Sequence, residues 1–276
     1  MTTFTQNEVL LRVSGISKKF DVPVLRDISF EIKNISRPGM IQGQIVSLVG
    51  KSGSGKSTLF NIMAGLLAPD KGEVLIGDTK QKCPIEGELL MNPVKEGEMG
   101  VVFQNSYLYE WRKVKDILSN AGRRNPTEPK GNLWGRIEEI SLKLDIEKLH
   151  DKYPSQISGG QRQRVAIAEQ LLNGGDYILL DEPFSGLDTL SIDKVTKILT
   201  DIVATDEYKT IILISHDLSN SLAISDKAFI LAKEEGKDGA TITREICLAE
   251  IGLAWQPGIK EDIRFRELLN QVKTYL

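Results

Sequence analysis

Short apolar runs alternate along this chain with longer segments of helical period, the pattern of an α/β fold. Residues 9–13 and 28–32 alternate apolar and polar positions, which predicts strands of an antiparallel sheet with one solvated face. Residues 45–49 (IVSLV) are mostly apolar, the mark of a buried strand. A glycine-rich turn follows at once, and then a helical run over residues 57–67. Further short strands are predicted at 74–76, 101–103, 177–180, 211–214 and 228–231. Between 114 and 163 no strand run occurs, whereas residues 134–144 (WGRIEEISLKL) place their apolar side chains on one helical face. A helical insertion or subdomain is expected there. Residues 233–239 (KEEGKDG) read as a charged turn and residues 265–276 as an amphipathic helix. Residues 34–41 and 79–98 read as surface loops or hairpin insertions.

Composition narrows the class. Of 276 residues, 41% are hydrophobic and 26% charged, which suits a soluble globular protein with a full-sized core. Lys and Arg number 35 against 38 Asp and Glu, a net charge of -3. This balance argues against nucleic acid as a partner, because neutralising phosphates requires a basic surface. The two cysteines, Cys83 and Cys247, lack CxxC spacing, so neither a disulfide framework nor a zinc ribbon is expected. Two histidines, His150 and His216, are too few for a histidine-rich metal site, and His150 reads as a solvated helix residue. No apolar stretch approaches the roughly 20 residues that span a bilayer, and the first residues lack a secretory pattern. The expectation is a soluble, cytoplasmic protein.

Three motifs carry chemistry. Residues 50–58 read GKSGSGKST, that is Gly50, Lys51, Ser52, Gly53, Ser54, Gly55, Lys56, Ser57 and Thr58. This satisfies G-x-x-x-x-G-K-[ST]: backbone N–H groups wrap a phosphate, Lys56 reaches the β- and γ-phosphates, and the Ser57 hydroxyl takes a position on Mg²⁺. The alternative, a glycine-rich turn without a ligand, is disfavoured by the strand before it and the helix after it. The second motif, ILLDE at 178–182, is an apolar strand delivering Asp181 and Glu182 to its end. Beside a P-loop, Asp181 suits Mg²⁺ through water and Glu182 suits a general base. Alone, the same pair would be an acidic strand cap. The third is SGGQ: Ser158, Gly159, Gly160 and Gln161 lead into a helical segment, with Ser158 as N-cap and a second phosphate-binding terminus.

Two separate phosphate cradles in one chain resemble the ATP-binding cassette (ABC) ATPases, whose signature is LSGGQ; here it reads ISGGQ. The resemblance covers roughly residues 8–232 and implies a P-loop NTPase fold of α/β class. Such a cassette has a mixed core sheet, an N-terminal antiparallel β-subdomain and an inserted helical subdomain. The expected division places a RecA-like catalytic core with its β-subdomain at 8–105 and 165–232, a helical signature subdomain at 106–164 and a short C-terminal extension at 233–276. The resemblance also implies roles for further residues. Gln104 matches the Q-loop glutamine, which contacts Mg²⁺ or water, and Asp188 in SGLD matches the D-loop. His216 matches the switch histidine at the γ-phosphate, and Phe20 sits where an aromatic ring stacks on adenine. Read alone, Phe20 would be a core residue. In this family two cassettes dimerise head to tail, so that ATP is held between the P-loop of one and the signature and D-loop of the other. One departure is Glu169, which stands where the family commonly has arginine.

A bare cassette without membrane segments resembles the ATPase subunits of importers. The stretch NSYLYEWRKVKDIL and the form DEPFSGLD are similar to the nitrate, sulfonate, taurine and bicarbonate group. That resemblance implies a second copy of the chain, transmembrane permease subunits and a substrate-binding protein as partners, with a peripheral position on the inner face of the membrane. Tyr107, Tyr109 and Trp111 either line a groove for a permease helix or pack the core of the helical subdomain. The alternative function is an ABC ATPase of a mechanical or regulatory complex, with the same catalytic residues and a different partner.

Overall fold

The computed structural model describes residues 4–37, 39–82, 88–125, 131–204 and 206–276. Alternating positions near the N-terminus build long antiparallel strands, β1 (Thr5–Lys19) and β2 (Pro23–Ser36). The near-continuous apolar run becomes β3 (Gln44–Val49), buried at every position. The P-loop helix α1 (Lys56–Met63) follows, then β4 (Lys71–Lys82), β5 (Leu89–Pro93) and β6 (Gly100–Val102). The strand-free middle holds α2 (Val114–Arg124), α3 (Leu133–Lys143) and two single-turn helices before α4 (Gly159–Asn173). Beyond it come β7 (Tyr177–Asp181), α5 (Thr189–Val203), β8 (Thr210–Ser215), α6 (Leu218–Ala223) and β9 (Lys227–Lys233). The tail forms β10 (Ala240–Cys247) and α7 (Ile263–Thr274).

Among the described residues the ten strands form one mixed sheet in the order β5-β4-β1-β2-β10-β9-β3-β8-β7-β6. The β9-β3-β8-β7-β6 portion is parallel and enclosed on both faces, by α1 with β1, β2 and β4 on one and by α2 to α5 on the other, which is why its strands are mostly apolar. The β5-β4-β1-β2 portion is antiparallel and alternates. The Tyr177 hydroxyl, on β7, is placed 3.1 Å from both the Leu10 and Gly77 carbonyl oxygens of β1 and β4, so the two portions are packed against each other. One apolar core lies between β1, β2, β4 and α1; a second joins α2, α3, α4 and α5 to the parallel strands. A third seats α6 and α7 against β9.

Several expectations need correction. Residues 34–36 are the end of β2 and not a loop: Ile35 pairs with Gln6 of β1 and is buried, so the strand continues as long as its apolar positions have a core to enter. The helix expected to Leu67 stops at Met63, because Gly65 adopts φ +71° and the Leu66 N–H turns back to the Asn61 carbonyl. The expectation for 79–98 resolves as a hairpin of β4 and β5, while Cys83 and its neighbours to residue 87 lie outside the described residues. The tail begins with a strand: β10 pairs along the whole of β9 and meets β2 at Ala240 and Leu25. Helix α4 crosses the expected boundary between 164 and 165. His150 is half-buried, 2.8 Å from the Ser141 hydroxyl, and burial lowers its pKa.

A buried charge anchors the tail to the P-loop strand. Asp226 is fully buried; it pairs with Arg37 and accepts the Ile45 N–H at 2.9 Å and the Trp255 indole N–H at 2.6 Å. Burial pushes its carboxyl up, against the pull of Arg37. Removing one partner of such a pair leaves an uncompensated charge. Arg37→Met is expected to destabilise the chain by about 3–5 kcal/mol in urea unfolding.

Candidate active site

Parallel register brings the sequence-predicted residues to one edge. Val49 of β3 lies opposite Ser215 of β8, and Asp181 of β7 lies opposite Ile214 of β8. Gly50, Glu182 and His216 therefore leave the sheet side by side, with Phe103 and Gln104 following β6 at the same edge. The glycine turn is built for close approach. A Cβ on Gly50 would stand 2.5 Å from the Leu231 carbonyl oxygen, and Gly53 and Gly55 hold φ of +77° and +91°. No side chain caps the N-terminus of α1, so its first-turn N–H groups carry the helix's positive end into the turn. Lys56 is buried and folds back, donating to the carbonyls of Gly50 at 2.8 Å and Lys51 at 2.9 Å. Burial lowers its pKa, opposed by the charges of Glu182 and Asp181.

The acidic pair divides by environment. Burial raises the Asp181 pKa, the Glu182 charge adds to this, and Lys56 opposes both. Glu182 sits at φ +50°, a left-handed backbone held by its N–H to the Ile214 carbonyl at 2.7 Å. Its carboxylate accepts the Ser215 hydroxyl at 3.1 Å and the His216 backbone N–H at 3.1 Å, and lies 2.8 Å from His216 Nδ1. The side chain of His216 remains exposed. The Ser54 hydroxyl is buried with no hydrogen-bond partner among the described residues. An orphaned hydroxyl, inward N–H groups, a folded lysine, the Ser57 hydroxyl and a carboxylate burdened by burial form a donor set that fits a triphosphate with a divalent cation. Among the described residues no cluster of three carboxylate, His or Cys groups could hold a metal alone.

A second cradle lies apart from the glycine turn. Ser158 caps α4: its hydroxyl accepts the Gln161 N–H at 3.4 Å, and the Gln161 side chain accepts the Ser158 N–H at 2.9 Å. Gly159 has open space around it. A cavity of about 640 Å³ joins Ser158–Gln161 to Gln104, Glu182 and Asp188, and no residue of 50–58 lines it. Asp188 caps α5, accepting the Ser191 N–H at 2.9 Å, which holds its carboxyl below the usual range. Gln104 donates to the Ser185 hydroxyl at 3.2 Å. Ser185 and Ser215 were not singled out from the sequence, although each lies inside a motif that was. A serine hydroxyl makes no pattern of its own.

The aromatic residues are on the surface. Phe20 is 56% exposed, with the Lys18 ammonium 5.6 Å from its ring centre, which removes the core reading. Tyr107 and Trp111 are 70% and 74% exposed, so they do not pack the core of the helical region. Phe60 of α1, Phe103 and Tyr107 stand in sequence at centroid distances of 5.6 and 5.9 Å. This ladder leads from the P-loop helix to the exposed patch.

A glycine cradle at a strand end, an acidic pair on the neighbouring strand and a second capped helix terminus define a P-loop nucleotide hydrolase of cassette type. The chain matches the ABC transporter family over residues 32–185, more than half its length, and it belongs to that family. It is 33% identical over 233 residues to the taurine import ATP-binding protein TauB of Jannaschia sp., covering 82% of this chain and 79% of that one. It is 35% identical over 234 residues to the nitrate import ATP-binding protein NrtC of Synechococcus elongatus, covering 81% of this chain and 32% of that one. Among solved structures, cbiO1 of Clostridium perfringens shares the fold, with a TM-score of 0.67 and 24% identity over 97% of this chain and 100% of that one. The ATP-binding cassette MJ0796, a dimer bound to ADP and Pi, has a TM-score of 0.66 and 26% identity over 87% of this chain and 99% of that one. The chain is thus an ABC ATPase, binding and hydrolysing ATP.

Glu169 is half-buried. It lies on α4, with its carboxyl recessed in a cleft and pushed up to about 7 by burial, against the pull of Arg124. The folded chain therefore holds a proton that the unfolded chain releases from about pH 4.5 upward. Stability is lost as pH rises from there through about 7, where the folded group also ionises. Glu169→Gln is expected to raise the melting temperature at pH 8 and to leave it nearly unchanged at pH 5. Thermal melts of both chains at the two pH values check this.

Proposed function

We propose that this chain is the ATPase subunit of an importer, energising separate membrane permease subunits through ATP-driven closure of a cassette homodimer. The observation that carries the reading is the separation of the two cradles: the signature cavity contains Glu182, Asp188 and Ser158–Gln161, but nothing of the P-loop. In the proposed dimer each ATP lies between residues 50–58 of one copy and Ser158–Gln161 with Asp188 of the other. Each cradle then supplies half of the contacts. The relatives named as taurine and nitrate import proteins favour import over a mechanical or regulatory complex. We read the chain as one cassette unit, with α4 joining the helical region to the catalytic core.

The chemistry follows from the residues. Lys56 and the N–H groups of the glycine turn offset the phosphate charge, and Phe20 offers its exposed face to adenine. Glu182 abstracts the proton of the attacking water; Ser215 and the His216 N–H orient its carboxylate, leaving a lone pair for that proton. His216 bridges Glu182 and the γ-phosphate. Ser57, Gln104 and Asp181 would hold Mg²⁺, which supplies charge neutralisation on the phosphate oxygens when bound. The α4 N-terminus of the partner copy adds its dipole to the same phosphates. Closure reaches the permease through Gln104, the aromatic ladder and Trp111. No helix among the described residues is long and apolar enough to cross a membrane, which suits a peripheral subunit on the cytoplasmic face. A substrate-binding protein would select the cargo together with the permease.

Glu182→Gln tests the assignment. The variant is expected to bind ATP, to run as a dimer with ATP in size-exclusion chromatography, and to lose about 100-fold or more of its turnover. Turnover near the original rate would remove Glu182 from the role of base.

A further inference from the structure

Glu182 holds a left-handed backbone, φ +50°, immediately before Pro183, although a residue in front of proline favours an extended chain. Such a conformation persists only where the chain around it is held in place. Upstream, the Glu182 N–H is fixed to the Ile214 carbonyl of β8 at 2.7 Å. Downstream, Pro183 and Phe184 are buried, and the Ser185 N–H closes a turn onto the Glu182 carbonyl at 3.1 Å. The Pro183 carbonyl accepts the side-chain amide of Gln163 at 2.7 Å. Gln163 is half-buried in the second turn of α4, two residues past Gln161, and lines the same cavity as Glu182. A carbonyl in a buried segment that loses its donor is left unsatisfied. The peptide after Glu182 is then free to turn, and with it the carboxylate that meets the Ser215 hydroxyl and the His216 N–H, each at 3.1 Å.

We propose that Gln163 is a positioning residue for ATP hydrolysis: by holding the Pro183 carbonyl it fixes the backbone from which Glu182 presents its carboxylate to the attacking water. The proposal rests on the reading of Glu182 as the general base. In this role Gln163 touches neither nucleotide nor water and acts only through the residue after the base. A displacement of the base well under the length of a bond to water slows the proton transfer without weakening the grip on the phosphates. Ser158 and Gln163 belong to one helix start, so the second cradle and the base share a support.

The test uses the full chain with Gln163→Met, which keeps the length of the side chain and removes the donor, and Gln163→Glu, which puts an acceptor in its place. Steady-state ATP turnover is expected to show kcat lowered about tenfold in both, with KM for ATP within about twofold of the original. Thermal melts give the folded fraction to which each rate is normalised, so a loss of stability alone leaves kcat unmoved. In a Glu182→Gln background, Gln163→Met is expected to cost nothing further, because the group it positions is gone. An undiminished kcat, a raised KM with kcat unchanged, or an equal loss in both backgrounds overturns the proposal. The two readings separate cleanly. If Glu182→Gln keeps its turnover, the assignment of the base falls, and this proposal with it. If Glu182→Gln is inactive and neither Gln163 variant is slowed, only the role of Gln163 falls.

Discussion

Parallel pairing of β3 with β8 and of β7 with β8 sets the level at which each strand ends, and every reactive group takes its position from that level. Val49, Ser215 and Asp181 stand within one residue of each other across the sheet, so the next residue of each chain emerges into the same space. A slip of one residue in either pair would turn alternate side chains to the opposite face. The strands resist this because all positions of β3 and β8 are buried. The glycine turn, the strained Glu182 backbone and the His216 contact are tolerated because that frame over-determines them.

The parts legible in the sequence are those where chemistry and period coincide. IVSLV followed by GKSGSGKST announced both a buried strand and the turn after it. SGGQ announced a capped helix that is present with both of its reciprocal bonds. What was not legible depends on distant partners. The β10 segment, ATITREIC, has few strongly apolar residues and becomes a strand only because β9 lies beside it. The bonds of Ser185 and Ser215 and the Asp226–Arg37–Trp255 cluster join residues up to 189 positions apart, beyond any local period. Gly65, at φ +71°, ends α1 before the apolar residues that follow it, which continue the helical period in sequence but not in the structure.

The chain also shows how burial divides identical groups. Asp181, Asp226 and Glu169 are all pushed upward by loss of water, but only Asp226 has a guanidinium and two N–H donors within the fold. Asp181 has the Lys56 charge near it at the phosphate cradle, and Glu169 lines a cleft with Arg124. Asp188, at a helix start with two donors from Ser191, moves the other way. Position relative to helix ends and water, more than residue type, decides what each carboxylate can do.

Among the described residues the sheet is continuous through a narrow seam, where Ala240 meets Leu25 in the one registered pair between β10 and β2. Phe20 rides on the antiparallel plate and the glycine turn on the parallel one. Their separation is fixed by side-chain packing, with Val24 and Leu25 pressed against Gly55. Packing of this kind yields more readily to shear than a hydrogen-bonded ladder. On the proposed placement, a nucleotide held by its base on one plate and its phosphates on the other would act as a strut across the seam, added to the Tyr177 hydroxyl contacts and the Arg37–Asp226 pair that join the plates without it.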